Sequence, residues 1–103
     1  MHIDTDKNGH LRHLEDWSEE TAMALAASEN IELSPAHWEI IYLLKAFYST
    51  YALSPAMRPF VKYTATKLGK EKGRSIYLMQ LFPPSPARLA SKIAGLPKPE
   101  NCL

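Results

Sequence analysis

Ser34-Pro35-Ala36-His37-Trp38-Glu39-Ile40-Ile41-Tyr42-Leu43-Leu44-Lys45-Ala46-Phe47-Tyr48-Ser49-Thr50-Tyr51 is the stretch that decides the fold class. A serine able to cap free N–H groups stands before a proline whose fixed φ suits the first helical position. After it, Trp38, Ile41, Leu44, Tyr48 and Tyr51 recur at helical spacing, with Ile40, Leu43 and Phe47 on the neighbouring stripe. Two apolar stripes on one helix predict a central helix packed on more than one side. The aromatic residues are read as core material rather than as a ligand box.

The same Ser-Pro device returns at Ser54-Pro55 and Ser85-Pro86, which predicts helices over residues 55–68 and 86–94. Pro59 lacks a backbone donor and is expected to kink or restart the first of these. Gly69 and Gly95 stand where the two helices should end. Ser18, followed by Glu19, Glu20 and Thr21, starts a helix reaching residue 29 or 30, with acids at its positive end. A short helix over residues 74–82 is stopped by Pro83-Pro84. Near the start, Asn8-Gly9 between Ile3-Asp4-Thr5 and His10-Leu11-Arg12 predicts a short β-hairpin. The expected fold is therefore α+β and mainly α: a small helical domain of five helices with an N-terminal β-hairpin.

Residues 96–103, Leu-Pro-Lys-Pro-Glu-Asn-Cys-Leu, have no periodicity and two prolines. They are expected to form an extended, flexible C-terminal arm with few core contacts, leaving residues 1–95 as a single folded body. With 103 residues, 46% apolar and 22% charged, the chain has the balance of one soluble folded domain. No apolar run, residues 40–44 included, comes near the length of a membrane span. The N-terminus has neither the basic start nor the apolar stretch of a signal peptide. A lone cysteine, Cys102, excludes an internal disulfide and suits a reducing compartment, so a cytoplasmic location is expected.

Charge is unevenly spread. Residues 1–39 hold nine carboxylates and two basic groups; residues 40–103 hold ten basic groups and two carboxylates. Separate surfaces for different partners would explain this, and so would two faces that neutralise each other within the fold.

Cys102 is the candidate catalytic residue. Burial is hard to arrange beside a chain end on a two-proline arm, so the thiol reads as a nucleophile presented to another protein. Glu100 and the terminal carboxylate oppose its thiolate and Lys98 favours it, which leaves activation to a partner or to the docked body. Elsewhere, His10-x-x-His13 has no second ligand pair at zinc spacing, and no residue pattern calls for a metal or a cofactor. Residues 59–82 loosely resemble a helix-turn-helix ringed by Lys62, Lys67, Lys70, Lys72 and Arg74, with Gln80 as a base reader. Against a DNA-binding regulator stand the five-residue turn and the commitment of Ile76, Tyr77, Leu78, Leu81 and Phe82 to a core.

The order and spacing of Leu33-Ser34-Pro35-Ala36-His37-Trp38-Glu39, Ser54-Pro55-Ala56-Met57-Arg58, Glu71-Lys72-Gly73, Tyr77-Leu78 and Leu81-Phe82-Pro83 resemble the DsrC/TusE family. The most specific part is Lys92-Ile93-Ala94-Gly95-Leu96-Pro97-Lys98-Pro99-x-x-Cys102, with one residue after the cysteine. The resemblance implies a sulfur carrier that accepts persulfide sulfur on Cys102 and passes it on for 2-thiolation of the tRNA wobble uridine. It implies an upstream TusBCD-type relay complex and a downstream tRNA-uridine 2-sulfurtransferase of the MnmA type, and it implies no cofactor. Ser91 stands where DsrC proteins proper have a second cysteine, so two-cysteine chemistry is absent. That points to the TusE branch, the alternative being a single-cysteine DsrC-like protein of dissimilatory sulfur metabolism.

Overall fold

The computed structural model describes residues 2–100. Five helices follow in order: α1 (Glu19–Ser28), α2 (Pro35–Tyr51), α3 (Met57–Leu68), α4 (Ser75–Leu81) and α5 (Pro86–Ile93), with one 3-10 turn, Leu14–Asp16, before them. Among the described residues, no helix is long and apolar enough to cross a membrane.

The helix starts divide into those capped as the sequence implies and those that are not. Ser18 accepts from the N–H of Thr21 at 3.1 Å. Ser34 and His37 form a reciprocal cap in which the N–H of Ser34 donates to His37 Nδ1 at 3.1 Å. That assignment makes Nε2 the protonated nitrogen, and it donates to the carbonyl of Leu81 at 2.7 Å. One imidazole thus joins the start of α2 to the end of α4. Ser54, by contrast, caps nothing. The helix begins at Met57, and Pro59 falls in its first turn, where no donor is needed. The kink expected at Pro59 therefore does not arise.

The centre of the fold is α5, not α2. Helices α1, α2, α3 and α4 all pack on α5. Its small residues Ala87, Ala90 and Ser91 let the neighbours approach closely, and Leu89 and Ile93 fill the space between them. From α2 come Ile40, Ile41, Leu43 and Leu44, while Phe60, Leu78 and Phe82 close the remaining sides. Each fully buried side chain of this size contributes roughly 1.5–3 kcal/mol. Trp38, Tyr48 and Tyr51 of the predicted stripe lie at the margin instead. Ile76, expected in the core, is 59% exposed, because a seven-residue helix turns only Leu78 fully inward.

The N-terminal hairpin is also not formed as a pair of strands. Among the described residues the only β-pairing there is one antiparallel bridge, Thr5 to Leu11, flanked by a bond from the N–H of Arg12 to the carbonyl of Asp4. The turn between them is made by Asp6, whose carboxylate accepts the N–H groups of Asn8 at 2.8 Å and His10 at 3.1 Å. Gly9 has φ +86° while Asn8 keeps a negative φ, so the two-residue hairpin turn that needs both positive is absent. Partial burial raises the Asp6 pKa, but the bonds from His10 and Asn8 outweigh it and hold the carboxyl below its ordinary value.

Candidate functional site

Because α5 is the hub, the segment that leaves it is positioned from all sides. Gly95, at φ +79°, turns the chain out of the helix. Its N–H donates to the carbonyl of Lys92 at 3.1 Å, and the N–H of Leu96 donates to that of Ser91 at 2.9 Å. This paired closure is a Schellman motif and uses two of the four carbonyls a helix end leaves free. The other two are taken by side chains from distant parts of the sequence. Trp17 Nε1 donates to the carbonyl of Ile93 at 2.9 Å, and Lys45 Nζ to that of Ala94 at 3.3 Å.

Lys45 has a second attachment, its ammonium lying 3.8 Å from the centroid of the Trp17 ring. Partial burial lowers its pKa, yet the ring face and the negative end of α5 both favour the cation there. The indole also closes the space at Gly95, where a Cβ would stand 2.5 Å from Trp17 Cδ1.

Two further bonds hold the chain after the turn. His10 Nδ1 meets the carbonyl of Leu96 at 3.0 Å and must be the donor, since the oxygen can only accept. The Ser54 hydroxyl donates to the carbonyl of Pro97 at 2.6 Å. Leu96, placed by its sequence in the arm, is 2% exposed and belongs to the core, and Pro99 is buried as well. The described chain therefore stays on the body past residue 95. Beside it opens a cleft of about 400 Å³ lined by Tyr48, Leu53, Pro59, Pro97, Lys98 and Glu100.

Cys102, the predicted nucleophile, lies outside the described residues. Ser91, in the register of the absent second cysteine, is fully buried on α5, and its hydroxyl has no partner among the described residues. The two histidines weighed as a metal pair part company. His10 is buried against Leu96, whereas His13 faces solvent beside Asp4 and Glu15. No cluster of metal-ligating side chains occurs among the described residues.

The anchors His10, Trp17, Lys45 and Ser54 were not foreseen. They meet residues 86, 76, 49 and 43 positions away, respectively, so no local pattern marks them. Ser54 reads in the sequence as a helix cap, and only the later start of α3 at Met57 frees its hydroxyl for Pro97. The separated charges meet in part across the fold. Lys92, nearly buried, pairs with Glu29 at 2.6 Å, and Lys72 pairs with Glu39 at 2.7 Å. The Glu39 bond outweighs desolvation and raises the Lys72 pKa.

These features can be set beside known proteins. Residues 1–103 match the family model described as DsrC like protein. The chain is 52% identical over 103 residues to a sulfurtransferase TusE homolog of Haemophilus influenzae, covering 100% of this chain and 94% of that protein. It is 54% identical over 101 residues to sulfurtransferase TusE of Sodalis glossinidius, covering 98% and 94%. Among solved structures, DsrC of Allochromatium vinosum superposes with a TM-score of 0.87 at 45% identity, over 96% of this chain and 88% of that one. The oxidized gamma-subunit of the dissimilatory sulfite reductase (DsrC) from Archaeoglobus fulgidus gives 0.82 at 37% identity, over 98% and 92%. A family match over residues 1–103 and backbone agreement over nearly all of the chain lead to one conclusion: the chain belongs to the DsrC-like protein family.

Proposed function

We propose that this protein is a cytoplasmic sulfur carrier, a sulfurtransferase that takes persulfide sulfur on Cys102 and hands it on in a relay. The observation that carries the reading is the anchored root. The carbonyls of Leu96 and Pro97 are tied by His10 and Ser54, and the only thiol in the chain follows a few residues later. With the chain held through Pro99, three further residues reach Cys102, a span of at most about 11 Å at 3.3–3.6 Å per residue. That is shorter than an arm free from Gly95 would sweep, so the partner must bring its sulfur to the face around Ser54 and Leu53.

The chemistry needs no cofactor. The Cys102 thiolate attacks the outer sulfur of a donor persulfide, and a new S–S bond forms on Cys102. The donor's S–S bond breaks, and its inner sulfur leaves as a thiolate, so the exchange is isoelectronic and needs no oxidant. Release to the next carrier repeats the step with Cys102 as leaving group. Lys98 is the nearest cation to Cys102 in sequence and Glu100 the nearest side-chain carboxylate, so the two neighbouring charges oppose each other. Activation falls to the partner.

The names of the TusE relatives support sulfur transfer; the family resemblance of the sequence extends the reading to tRNA 2-thiolation, with a TusBCD-type complex as donor and an MnmA-type tRNA-uridine 2-sulfurtransferase as acceptor. Ser91 supports this branch over two-cysteine sulfite chemistry. A reconstituted relay charged with radiolabelled cysteine tests the assignment. Label should reach tRNA only when this protein is present, and Cys102→Ser should abolish it. Label that reaches tRNA equally without the protein would refute the role.

A further inference from the structure

The surface along α3 differs chemically from the rest of the molecule. This helix carries Arg58, Lys62 and Lys67 and no carboxylate, and the turn after it adds Lys70 and Arg74. None of these five cations is in an ion pair among the described residues. The carboxylates nearby are Glu71 in the same turn, Glu39, which Lys72 neutralises, and Glu100 in the adjoining cleft beside Lys98.

A cleft of about 450 Å³ lies between the C-terminal half of α2 and α3, lined by Phe47, Tyr51, Pro59, Lys62, Tyr63 and Lys67. Tyr51 leaves 54% of its surface in water. Its ring stands 6.5 Å from that of Tyr63, over which the Lys67 ammonium lies 5.6 Å from the centroid. Pro59 lines this cleft and also the one that holds Pro97, Lys98 and Glu100. The two clefts therefore adjoin at Pro59, one holding the exposed Tyr51 ring with Lys62 and Lys67, the other lying at the root of the arm.

We propose that this groove binds a single-stranded segment of RNA. Its phosphates lie on Lys62 and Lys67, a base stacks on Tyr51, and the strand runs toward the residues that precede Cys102. Two cations outside any ion pair, Lys62 and Lys67, line this groove, and such cations suit a phosphate backbone because each contact releases a counterion. The exposed Tyr51 ring beside them supplies the kind of stacking platform that unpaired bases use. An acidic peptide would use the cations and leave Tyr51 without a role. A duplex has no free base face to offer it.

The proposal rests on the sulfur-carrier reading only for the purpose of the RNA; binding is measured apart from sulfur. Fluorescein-labelled oligouridine of about 12 nucleotides, within the usual range for single-strand sites, is titrated by anisotropy at several salt concentrations. Saturable binding is expected, and the Lys62→Glu/Lys67→Glu double variant, at exposed helix positions, should weaken it at least about tenfold. The slope of log K against log salt should fall by about 1.4 in that variant, near 0.7 per phosphate contact. Tyr51→Ala should weaken binding with the slope unchanged, and Cys102→Ser should bind as wild type. Lys7→Glu, on the acidic N-terminal segment, should have no effect. Absence of binding, or equal binding by the double variant, overturns the proposal. So does tighter binding of a polyglutamate peptide than of oligouridine, which would make the groove a site for an acidic protein.

Discussion

The hydroxyl of Ser54, in the connection between α2 and α3, donates to the carbonyl of Pro97 across 2.6 Å and is the last side-chain bond holding the described chain before Cys102. Ser54→Ala leaves that carbonyl facing an open cleft where water can replace the bond. The expected loss of unfolding free energy is about 1 kcal/mol, the net worth of one neutral hydrogen bond. The larger effect should be local. Carboxypeptidase should trim the variant past Pro99 faster than wild type, at a rate out of proportion to the change in global stability. Equal trimming rates would show that the bond does not restrain the arm.

Gly95 makes a sharper test of how the root is built. Alanine there would take a left-handed φ of +79° and set its Cβ 2.5 Å from Trp17 Cδ1. The backbone term alone costs about 1–2 kcal/mol, and displacement of the indole adds the loss of its bond to Ile93. Urea denaturation of Gly95→Ala should show a fall of about 2–3 kcal/mol with an unchanged m-value. A variant as stable as wild type would mean that Trp17 does not seat against the turn.

Truncations locate the end of the folded body. Removing the residues after Glu100 should change stability by less than about 0.5 kcal/mol, as for an ordinary surface change. Removing the chain from Leu96 onward takes away a buried leucine and the closing bond to Ser91, and should cost about 3 kcal/mol. Equal stability of the two truncations would restore the sequence-based picture of an arm that starts at Leu96.

Ser91 carries a fully buried hydroxyl without a partner among the described residues. Its desolvation is uncompensated, so Ser91→Ala should leave stability unchanged or raise it by up to about 1 kcal/mol. Thermal unfolding checks this. A loss greater than about 1 kcal/mol would reveal a bonded hydroxyl. Ser91→Cys should fold, and its thiol at residue 91 should resist a bulky thiol reagent until the protein is unfolded.

What the sequence made legible is what local chemistry governs. Ser18 and Ser34 cap as written, because an N-cap involves only the next three residues. Gly95 ends α5 because a Schellman motif is closed within six residues. Centrality was not legible. Ala87, Ala90 and Ser91 make α5 the hub through their smallness, which gives a weaker pattern than the aromatic stripe of α2. The hairpin failed because Asp6 draws the N–H groups of Asn8 and His10 to its carboxylate, and the chain enters a 3-10 turn at Leu14 before a ladder can extend. Of the candidate site, Cys102 is a reading from position alone and lies outside the described residues. Its supports were not, since each lies dozens of residues from the carbonyl it holds.

Sulfur carriage is proposed to rest on Cys102 alone. Intact-protein mass spectrometry after incubation with a cysteine desulfurase, cysteine and a persulfide relay complex, without reductant, tests it most directly. The predicted result is a gain of one sulfur atom, mapped by peptide fragmentation to Cys102, reversed by dithiothreitol and absent in Cys102→Ser. An unchanged mass under conditions that charge the relay complex itself, or the same gain in Cys102→Ser, would contradict the account.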